Sequence, residues 1–236
     1  VIALGSVGEF PYLSPEEKRE IIDVVVDEVN GRVPVLVGTS HWGTDETVGL
    51  SRYARDAGAD GFMINLPAYF QLGDDEIYGH YEAVSAEVDA PFLLYNIPSA
   101  THLELTPERV VRLAEIENVA GIKETIQDLE QIGEVIRRVR KRPFSVFAGM
   151  SSIFLQVLEL GGAGVIDPRS NIYPETLTGV YQAFEAGDLE KARRIYGRLR
   201  DYAPLFQIIK GADIAGIKEI MRLMGRPIQP TVKRPL

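Results

Sequence analysis

Lys123 has the chemistry and the position of a nucleophile. It follows the apolar run 119–122 and ends a predicted strand, whereas the other lysines fall on predicted helices or loops. A lysine at such a strand end is partly removed from water, which favours the neutral amine that attacks a ketone to form a Schiff base. The alternative is an ion pair of Lys123 with Glu124 or an aspartate that only closes the strand end.

Two hydroxyl residues occupy comparable positions on other predicted strands. Tyr95 ends the apolar run 92–94, and its phenol could donate and accept a proton beside a reacting centre. Ser6 lies in the glycine-flanked turn GSVG at residues 5–8, where backbone amides and a hydroxyl could bind a carboxylate. A ring packed on the core and a plain tight turn are the alternative interpretations.

The elements that would position these residues alternate along the chain. Short apolar runs typical of buried parallel strands predict seven strands, at residues 1–4, 35–38, 61–64, 92–95, 119–123, 145–148 and 164–166. Helical segments lie between them, and Ser14-Pro15 and Thr106-Pro107 are typical helix starts. The last three helices are predicted at residues 174–186, 189–207 and 212–224.

Regular alternation of strand and helix predicts an α/β fold with a parallel sheet, either open and doubly wound or closed into a barrel. The sequence has no glycine-rich dinucleotide fingerprint and no phosphate-binding loop motif, which favours the barrel. We therefore predict a (β/α)8 TIM barrel with extra C-terminal helices, whose first βα unit is missing from this chain. Residues 1–173 would form that incomplete barrel, and residues 174–236 its closing helix and a C-terminal helical extension.

Composition narrows the function classes. Thirty-four acidic residues against twenty-five basic ones give a net charge of −9, which argues against a nucleic-acid or membrane partner. The absence of cysteine excludes disulfides, thiolate metal sites and cysteine nucleophiles, and three histidines make a histidine-rich metal centre a poor prediction. No apolar stretch approaches the roughly 20 residues that span a bilayer. We expect a soluble, cytoplasmic protein that binds no metal.

Three motifs carry a resemblance to a known family. The runs GSVGE at 5–9, YNIP at 95–98 and GIKE at 121–124 resemble the signatures of the dihydrodipicolinate synthase/N-acetylneuraminate lyase superfamily. The resemblance implies a (β/α)8 barrel, a homotetramer built as a dimer of dimers, and a metal-free class I aldolase that needs no cofactor. Such an enzyme binds pyruvate or a related 2-oxo acid as a Schiff base and exchanges an aldehyde. Lys123 would be the Schiff-base lysine and Tyr95 the proton shuttle.

The same resemblance assigns roles to further residues. Ser6 would contact the substrate carboxylate and the tyrosine, and the Val7 N–H would add a carboxylate donor. Val7 stands where most members carry a hydroxyl residue. Tyr69 matches a tyrosine that some members insert across a dimer interface to complete a hydroxyl relay. Gly149 would line the substrate site, and Ile166 would pack beside the pyruvyl group.

One departure from the family pattern bears on the substrate. Dihydrodipicolinate synthases typically carry an arginine after the tyrosine motif that grips the carboxylate of the aldehyde substrate, and Ala100 stands there in this chain. This favours cleavage or formation of a 2-keto-3-deoxy sugar acid, whose aldehyde half is neutral. The alternatives are 4-hydroxy-tetrahydrodipicolinate (dihydrodipicolinate) synthase, a keto-deoxy sugar acid dehydratase, and a non-catalytic 2-oxo acid binding protein.

Four other residues have open or secondary roles. Asp167 could bind sugar hydroxyls or pair with Arg169. His102 could approach the aldehyde end of a substrate. His80 is expected to pack or to lie in an interface, and Trp42 to pack within its loop.

Overall fold

The computed structural model describes residues 1–199, 201–202 and 214–236. Within them the chain forms two compact units, Val1–Phe147 and Ala148–Leu236. The predicted division between residues 173 and 174 stays a prediction.

Seven strands occur among the described residues, as the apolar runs predict. They are β1 (Ile2–Ala3), β2 (Leu36–Gly38), β3 (Gly61–Asn65), β4 (Phe92–Asn96), β5 (Val119–Glu124), β6 (Ser145–Ala148) and β7 (Gly164–Val165). β1 is shorter than predicted because Leu4 has a φ of 54°, outside the extended region. β4 and β5 each run one residue further than predicted, so that they include Asn96 and Glu124.

Helices follow the strands of the first unit. They are α1 (Pro15–Val29), α2 (Thr44–Ala57), α3 (Asp74–Glu87), α4 (Pro98–Thr101), α5 (Pro107–Leu113) and α6 (Leu129–Val139). The predicted start of α1 is confirmed. The Glu17 N–H donates to Ser14 Oγ at 3.2 Å, and the Ser14 N–H donates to Glu17 Oε2 at 2.9 Å, which is a capping box. Thr106 caps α5 in the predicted way, accepting from the Arg109 N–H.

The sheet of the first unit is parallel and follows chain order. β1 to β5 pair successively in parallel, and β6 comes next to β5. Neighbouring helices pack against each other over this sheet, α1 on α2, α2 on α3 and α5 on α6. Strands and helix faces bury large apolar side chains between them, including Phe62, Ile64, Phe92 and Leu113. The parallel strand order directs the C-terminal ends of these strands to one edge.

The second unit contains β7 and four described helices. These are α7 (Phe154–Glu159), α8 (Pro174–Glu185), α9 (Leu189–Gly197) and α10 (Ile214–Leu223), and α8 packs on α9. α9 ends at Gly197, with Arg198 as its C-cap, short of the predicted end at residue 207. Residues 203–207 of that prediction and the start of the helix predicted at 212–224 lie outside the described residues.

The observed architecture is thus a parallel α/β fold of the kind predicted. Closure into eight βα units, the missing first unit and the C-terminal extension stay predictions. In the part of the chain that the structure describes, no helix combines the length and the apolar character that a bilayer-spanning helix needs.

Candidate active site

Tyr95 and Lys123 lie opposite each other at the ends of β4 and β5. The parallel register pairs the two residues, and the Lys123 Nζ lies over the Tyr95 ring, 4.1 Å from its centroid. Both side chains are nearly enclosed, with exposed fractions of 6% for Lys123 and 4% for Tyr95. The structure therefore brings together the two residues that the sequence assigned to one reacting centre.

Ser6 joins this pair through the phenol. It begins a single 3-10 turn, Ser6–Gly8, and its Oγ lies 3.2 Å from the Tyr95 hydroxyl oxygen, so one hydroxyl donates to the other. The turn follows Leu4, whose left-handed backbone (φ 54°) costs a non-glycine residue about 1–2 kcal/mol. Gly38 accommodates this bend, because a Cβ there would overlap the Leu4 carbonyl oxygen. The bend at Leu4 therefore ends β1 and is followed by the 3-10 turn that carries Ser6.

A second polar pair, Asn96 and Glu124, directly follows the first on the same two strands. Asn96 Nδ2 donates to Glu124 Oε1 at 2.8 Å and to Oε2 at 3.0 Å, and both side chains are buried. Burial raises the pKa of Glu124 to about 7, although the Asn96 hydrogen bonds act to lower it. Successive strand residues point to opposite faces, so Glu124 points away from Lys123 and takes Asn96 as its partner.

Asn96 and Glu124 stand at predicted strand ends, but the sequence analysis assigned neither a role in the site and offered Glu124 only as a possible ion-pair partner of Lys123. The available signal was their position, since each follows one of the two selected residues within the YNIP and GIKE motifs. Polar residues that extend two neighbouring buried strands need partners, and in a parallel sheet the partner lies across the ladder.

Tyr69 lies apart from this cluster in the single chain. It follows β3, has a φ of 92°, and is 87% exposed, with its ring edge-on to Phe70 at 5.0 Å between centroids. Its predicted role in the relay requires a second copy of the chain and stays a prediction.

Gly149 and Ile166 lie in the second unit. Gly149 follows β6, and Ile166 follows β7 and donates its N–H to the Ala148 carbonyl at 2.8 Å. Both are at strand ends, where a barrel would carry its site. Their predicted contacts with the substrate, and that of the Val7 N–H, stay predictions.

Asp167 pairs with Arg169, which is one of the two interpretations left open by the sequence. Asp167 Oδ2 lies 3.4 Å from Arg169 Nη1, and Oδ1 accepts the Arg169 N–H at 2.9 Å. Oδ2 also accepts the Ser151 N–H, and the carboxylate is fully buried. With both oxygens engaged in this way, Asp167 is part of the loop structure.

The remaining singled-out residues have simpler positions. His80 packs between α2 and α3, with Nδ1 2.9 Å from Thr44 Oγ1 and its ring edge-on to Tyr81. Trp42 is 62% exposed in this chain, so the prediction that it packs within its loop is wrong. His102 is exposed at the end of α4, with a φ of 56°.

Among the described residues, no group of three or more potential ligands is placed to hold a metal ion. The side chains that meet at the ends of β4 and β5 are an amine, a phenol and a hydroxyl. Such a set can bind a carbonyl covalently and move protons at it.

Comparison with known proteins identifies the family of this chain. The family model described as "Dihydrodipicolinate synthetase family" matches residues 1–236. A 4-hydroxy-tetrahydrodipicolinate synthase of Methanoculleus marisnigri is 39% identical over 237 residues, which covers 100% of this chain and 80% of that protein. The enzyme of the same name from Methanospirillum hungatei is 39% identical over 227 residues, covering 92% of this chain and 77% of that protein.

A solved structure agrees with this assignment. YagE from E. coli K12, described as a prophage protein of the dihydrodipicolinic acid synthase family in complex with pyruvate, superposes with a TM-score of 0.95 at 34% identity. The match covers 100% of this chain and 80% of YagE. Members of the family are lyases that make or break carbon–carbon bonds through a Schiff base between a lysine and pyruvate, without an external cofactor. The chain belongs to the dihydrodipicolinate synthetase family.

Proposed function

We propose that this chain is a class I pyruvate lyase whose Schiff base forms on Lys123, with Tyr95 as proton shuttle and Ser6 as its hydroxyl partner. The observation that carries the proposal is the position of the Lys123 Nζ, 4.1 Å above the Tyr95 ring, with the Tyr95 hydroxyl bonded to Ser6. The 2-oxo acid carboxylate would rest on the Ser6 hydroxyl and the Val7 N–H.

The chemistry uses these groups in order. The Lys123 amine attacks C2 of the 2-oxo acid, and Tyr95 donates a proton as the carbinolamine loses water to give the iminium. The C3–C4 bond then breaks, its electron pair moves toward the iminium to leave an enamine, and the C4 hydroxyl loses its proton as the aldehyde forms. A proton returns to C3, and water releases pyruvate from Lys123. Condensation is the reverse sequence.

Borohydride trapping tests the covalent step. Incubation with pyruvate and borohydride, followed by mass spectrometry of the intact protein and its peptides, should show one reduced pyruvyl adduct on Lys123. The Lys123→Ala variant should show none. An unchanged mass in the parent protein would overturn the assignment.

The substrate proposal is a 2-keto-3-deoxy sugar acid, split into pyruvate and a neutral hydroxylated aldehyde. It is supported by Ala100, which lies exposed in α4 at the position where dihydrodipicolinate synthases carry a carboxylate-binding arginine. Alanine offers a carboxylated aldehyde no charge and no hydrogen-bond donor.

A second candidate is 4-hydroxy-tetrahydrodipicolinate synthase, the name that the relatives from Methanoculleus marisnigri and Methanospirillum hungatei bear. Rates of pyruvate condensation with glyceraldehyde and with aspartate semialdehyde separate the two. A higher kcat/KM for glyceraldehyde supports the sugar-acid proposal, and a higher value for the semialdehyde supports the second candidate. Ala100→Arg is the matched variant, since it should shift this ratio toward the semialdehyde. Consumption of a deoxy-keto sugar acid without release of an aldehyde would instead indicate a dehydratase.

We also propose that the chain works as a homotetramer built from dimers in which Tyr69 reaches the partner's site. The support is the exposure of Tyr69 and of the neighbouring Phe70 in the single chain. Exposed adjacent aromatic residues are typical of interfaces between subunits.

A further inference from the structure

The pairing of β4 with β5 contains an irregularity that decides which side chains face each other. Along β5 the pairing passes from Val119 directly to Gly121, so Ala120 has no partner in β4. Side chains alternate between the two faces of a strand, and a shift of one residue turns them to the other face. If Ala120 were instead paired regularly with Leu93, Lys123 would pair with Asn96, one position beyond Tyr95, and point to the opposite face of the sheet.

Gly121, the residue after Ala120, is closely approached by the backbone of the strand on its other side. A Cβ at this position would overlap the Ser145 carbonyl oxygen of β6 and lie 3.0 Å from Leu93 Cδ2. The three strands are therefore in close contact immediately before Lys123, and only glycine fits there. This close contact lies two residues before Lys123, on the strand whose pairing places Lys123 opposite Tyr95.

Asn96 and Glu124 form a buried side-chain pair at the C-terminal side of the register shift. They pair directly after Tyr95 and Lys123, and two hydrogen bonds of 2.8 and 3.0 Å join them on the opposite face. Asn96 Oδ1 also accepts the Leu105 N–H at 3.0 Å, which ties the segment before α5 to the strand ends. Ladder bonds alone can slip by a residue, whereas a buried side-chain pair accepts one register.

The Asn96–Glu124 pair is a weak source of folding stability. Glu124 is buried with the uncharged Asn96 and the Ile126 N–H as hydrogen-bond partners, and the negative charge of Glu104 raises its pKa further. The Glu104 carboxylate accepts from the Gln131 amide of α6 at 2.8 Å. Removing a carboxylate from water without a cation costs free energy, and buried polar pairs of this kind are best known for specifying register.

We propose that Asn96 and Glu124 are positioning residues, whose buried hydrogen bonds hold the register after Ala120 and so keep the Tyr95 phenol and the Lys123 amine together. They act through the strand ends and do not touch the substrate. The inference rests on the proposed function, because it assumes that Lys123 forms the Schiff base.

An exchange of the two functional groups tests the proposal. Glu124→Gln faces one amide with another, and Asn96→Asp faces one carboxylate with another, so each single variant loses part of the pairing. The double variant Asn96→Asp/Glu124→Gln restores a carboxylate–amide pair in reverse. The rate of borohydride-trapped adduct formation at saturating pyruvate should fall about 10- to 100-fold in each single variant, as small misplacements of reacting groups do. The double variant should recover most of this loss.

The readouts separate positioning from folding. Each variant is measured for kcat, for the pyruvate KM and for thermal unfolding, and we expect kcat to fall with little change in KM, since Ser6 is untouched. Ser51→Ala is the control. It removes another buried hydrogen bond of the first unit, from Ser51 Oγ to Thr39 Oγ1 at 2.8 Å, and should lower the unfolding temperature without slowing adduct formation.

Two results would overturn the positioning role and leave the proposed function intact. One is a parental trapping rate in Glu124→Gln, and the other is a folded double variant that stays as slow as the single variants. A parent protein that forms no adduct on Lys123 would overturn the proposed function, and the positioning role with it.

Discussion

Lys123 differs from a lysine on a helix surface mainly in what surrounds its amine. Lys191 on α9 is exposed to water, whereas Lys123 is nearly enclosed and faces the ring of Tyr95. The Tyr95 ring covers the Lys123 amine, and the Tyr95 hydroxyl is hydrogen-bonded to Ser6. The same residue can therefore exclude water from the nitrogen and supply the proton that dehydration of a carbinolamine requires.

Tyr95→Phe separates these two contributions. Phenylalanine keeps the ring over Lys123 and loses the hydroxyl, so we expect adduct formation to slow by about 10²- to 10⁴-fold, the range typical of a lost acid–base group. Borohydride trapping over time measures this rate. Ser6→Ala, which leaves the phenol but removes its partner, should slow the reaction less. A parental rate in Tyr95→Phe would contradict the proton-shuttle role.

His80 makes a prediction about stability and pH. Burial lowers the pKa of His80 from 6.5 to about 4, and its Nε2 has no hydrogen-bond partner among the residues that the structure describes. The unfolded chain therefore binds a proton at His80 at a pH where the folded protein does not. The contribution of His80 is fully present above pH 6.5 and is lost as the pH falls toward 4, with a limiting slope of about 1.4 kcal/mol per pH unit. His80→Asn, which can keep a bond to Thr44, should lack this slope in urea unfolding.

Glu124 supplies a control of opposite sign. Its folded pKa of about 7 lies above the usual 4.5, so the folded protein holds the proton more tightly. Its carboxylate therefore destabilises the fold progressively as the pH rises from 4.5 to 7. Relative to the parent, Glu124→Gln should gain stability with rising pH over this range, whereas His80→Asn should lose it. Two variants whose curves run parallel to the parent would contradict both assignments.

At the level of elements, regular features could be predicted and irregular ones could not. The apolar runs give seven strands because parallel strands are buried on both faces, and Ser14-Pro15 gives the start of α1 because its capping box is local. The extra residue Ala120 in β5 has no local signature, since Val119, Ala120 and Gly121 read as one continuous apolar run. The shift shows only in the pairing with β4, a strand that is remote in sequence.

The same contrast applies to the candidate site. Lys123 and Tyr95 could be selected because a polar residue that ends an apolar strand is conspicuous in the sequence. Their opposition across the ladder depends on Ala120, and the Asn96–Glu124 pair depends on that opposition. For Tyr69, only the family resemblance pointed to an interface position, because its exposure reflects the path of the loop after β3.

Gly121 offers a direct test of how tightly β5 is held. Because a Cβ at Gly121 would overlap the Ser145 carbonyl oxygen, Gly121→Ala must force β5 and β6 apart, and we expect a loss of about 1–3 kcal/mol in the free energy of unfolding. Gly49→Ala is the matched control. Gly49 lies exposed on α2 with open space around it, so alanine there should stabilise the protein by about 0.5–1 kcal/mol. Equal effects of the two substitutions in urea unfolding would show that the close approach is unimportant.

At the scale of the whole molecule, the proposed role of Tyr69 requires contact between two chains. The proposed relay contains Ser6 and Tyr95 from one chain and a tyrosine whose side chain is 87% exposed in that chain. A side chain this exposed is poorly suited to proton transfer by itself, because water competes for its hydroxyl. Pairing of two chains about a two-fold axis would restrain both copies of Tyr69 at once.

Mixed dimers test this arrangement. Lys123→Ala has no nucleophile, and Tyr69→Phe should have at least about 10-fold lower activity because a relay hydroxyl is lost. In a hybrid dimer, the Tyr69→Phe chain keeps Lys123 and receives Tyr69 of the partner subunit, so one of the two sites is complete. Unfolding and refolding an equal mixture should therefore restore about a quarter of the parental activity, as random pairing into two-fold dimers requires. A mixture of Lys123→Ala with Lys123→Arg should stay inactive. If the first mixture regains nothing beyond the residual activity of Tyr69→Phe, Tyr69 does not act across the interface, and the hydroxyl relay must be complete within one chain.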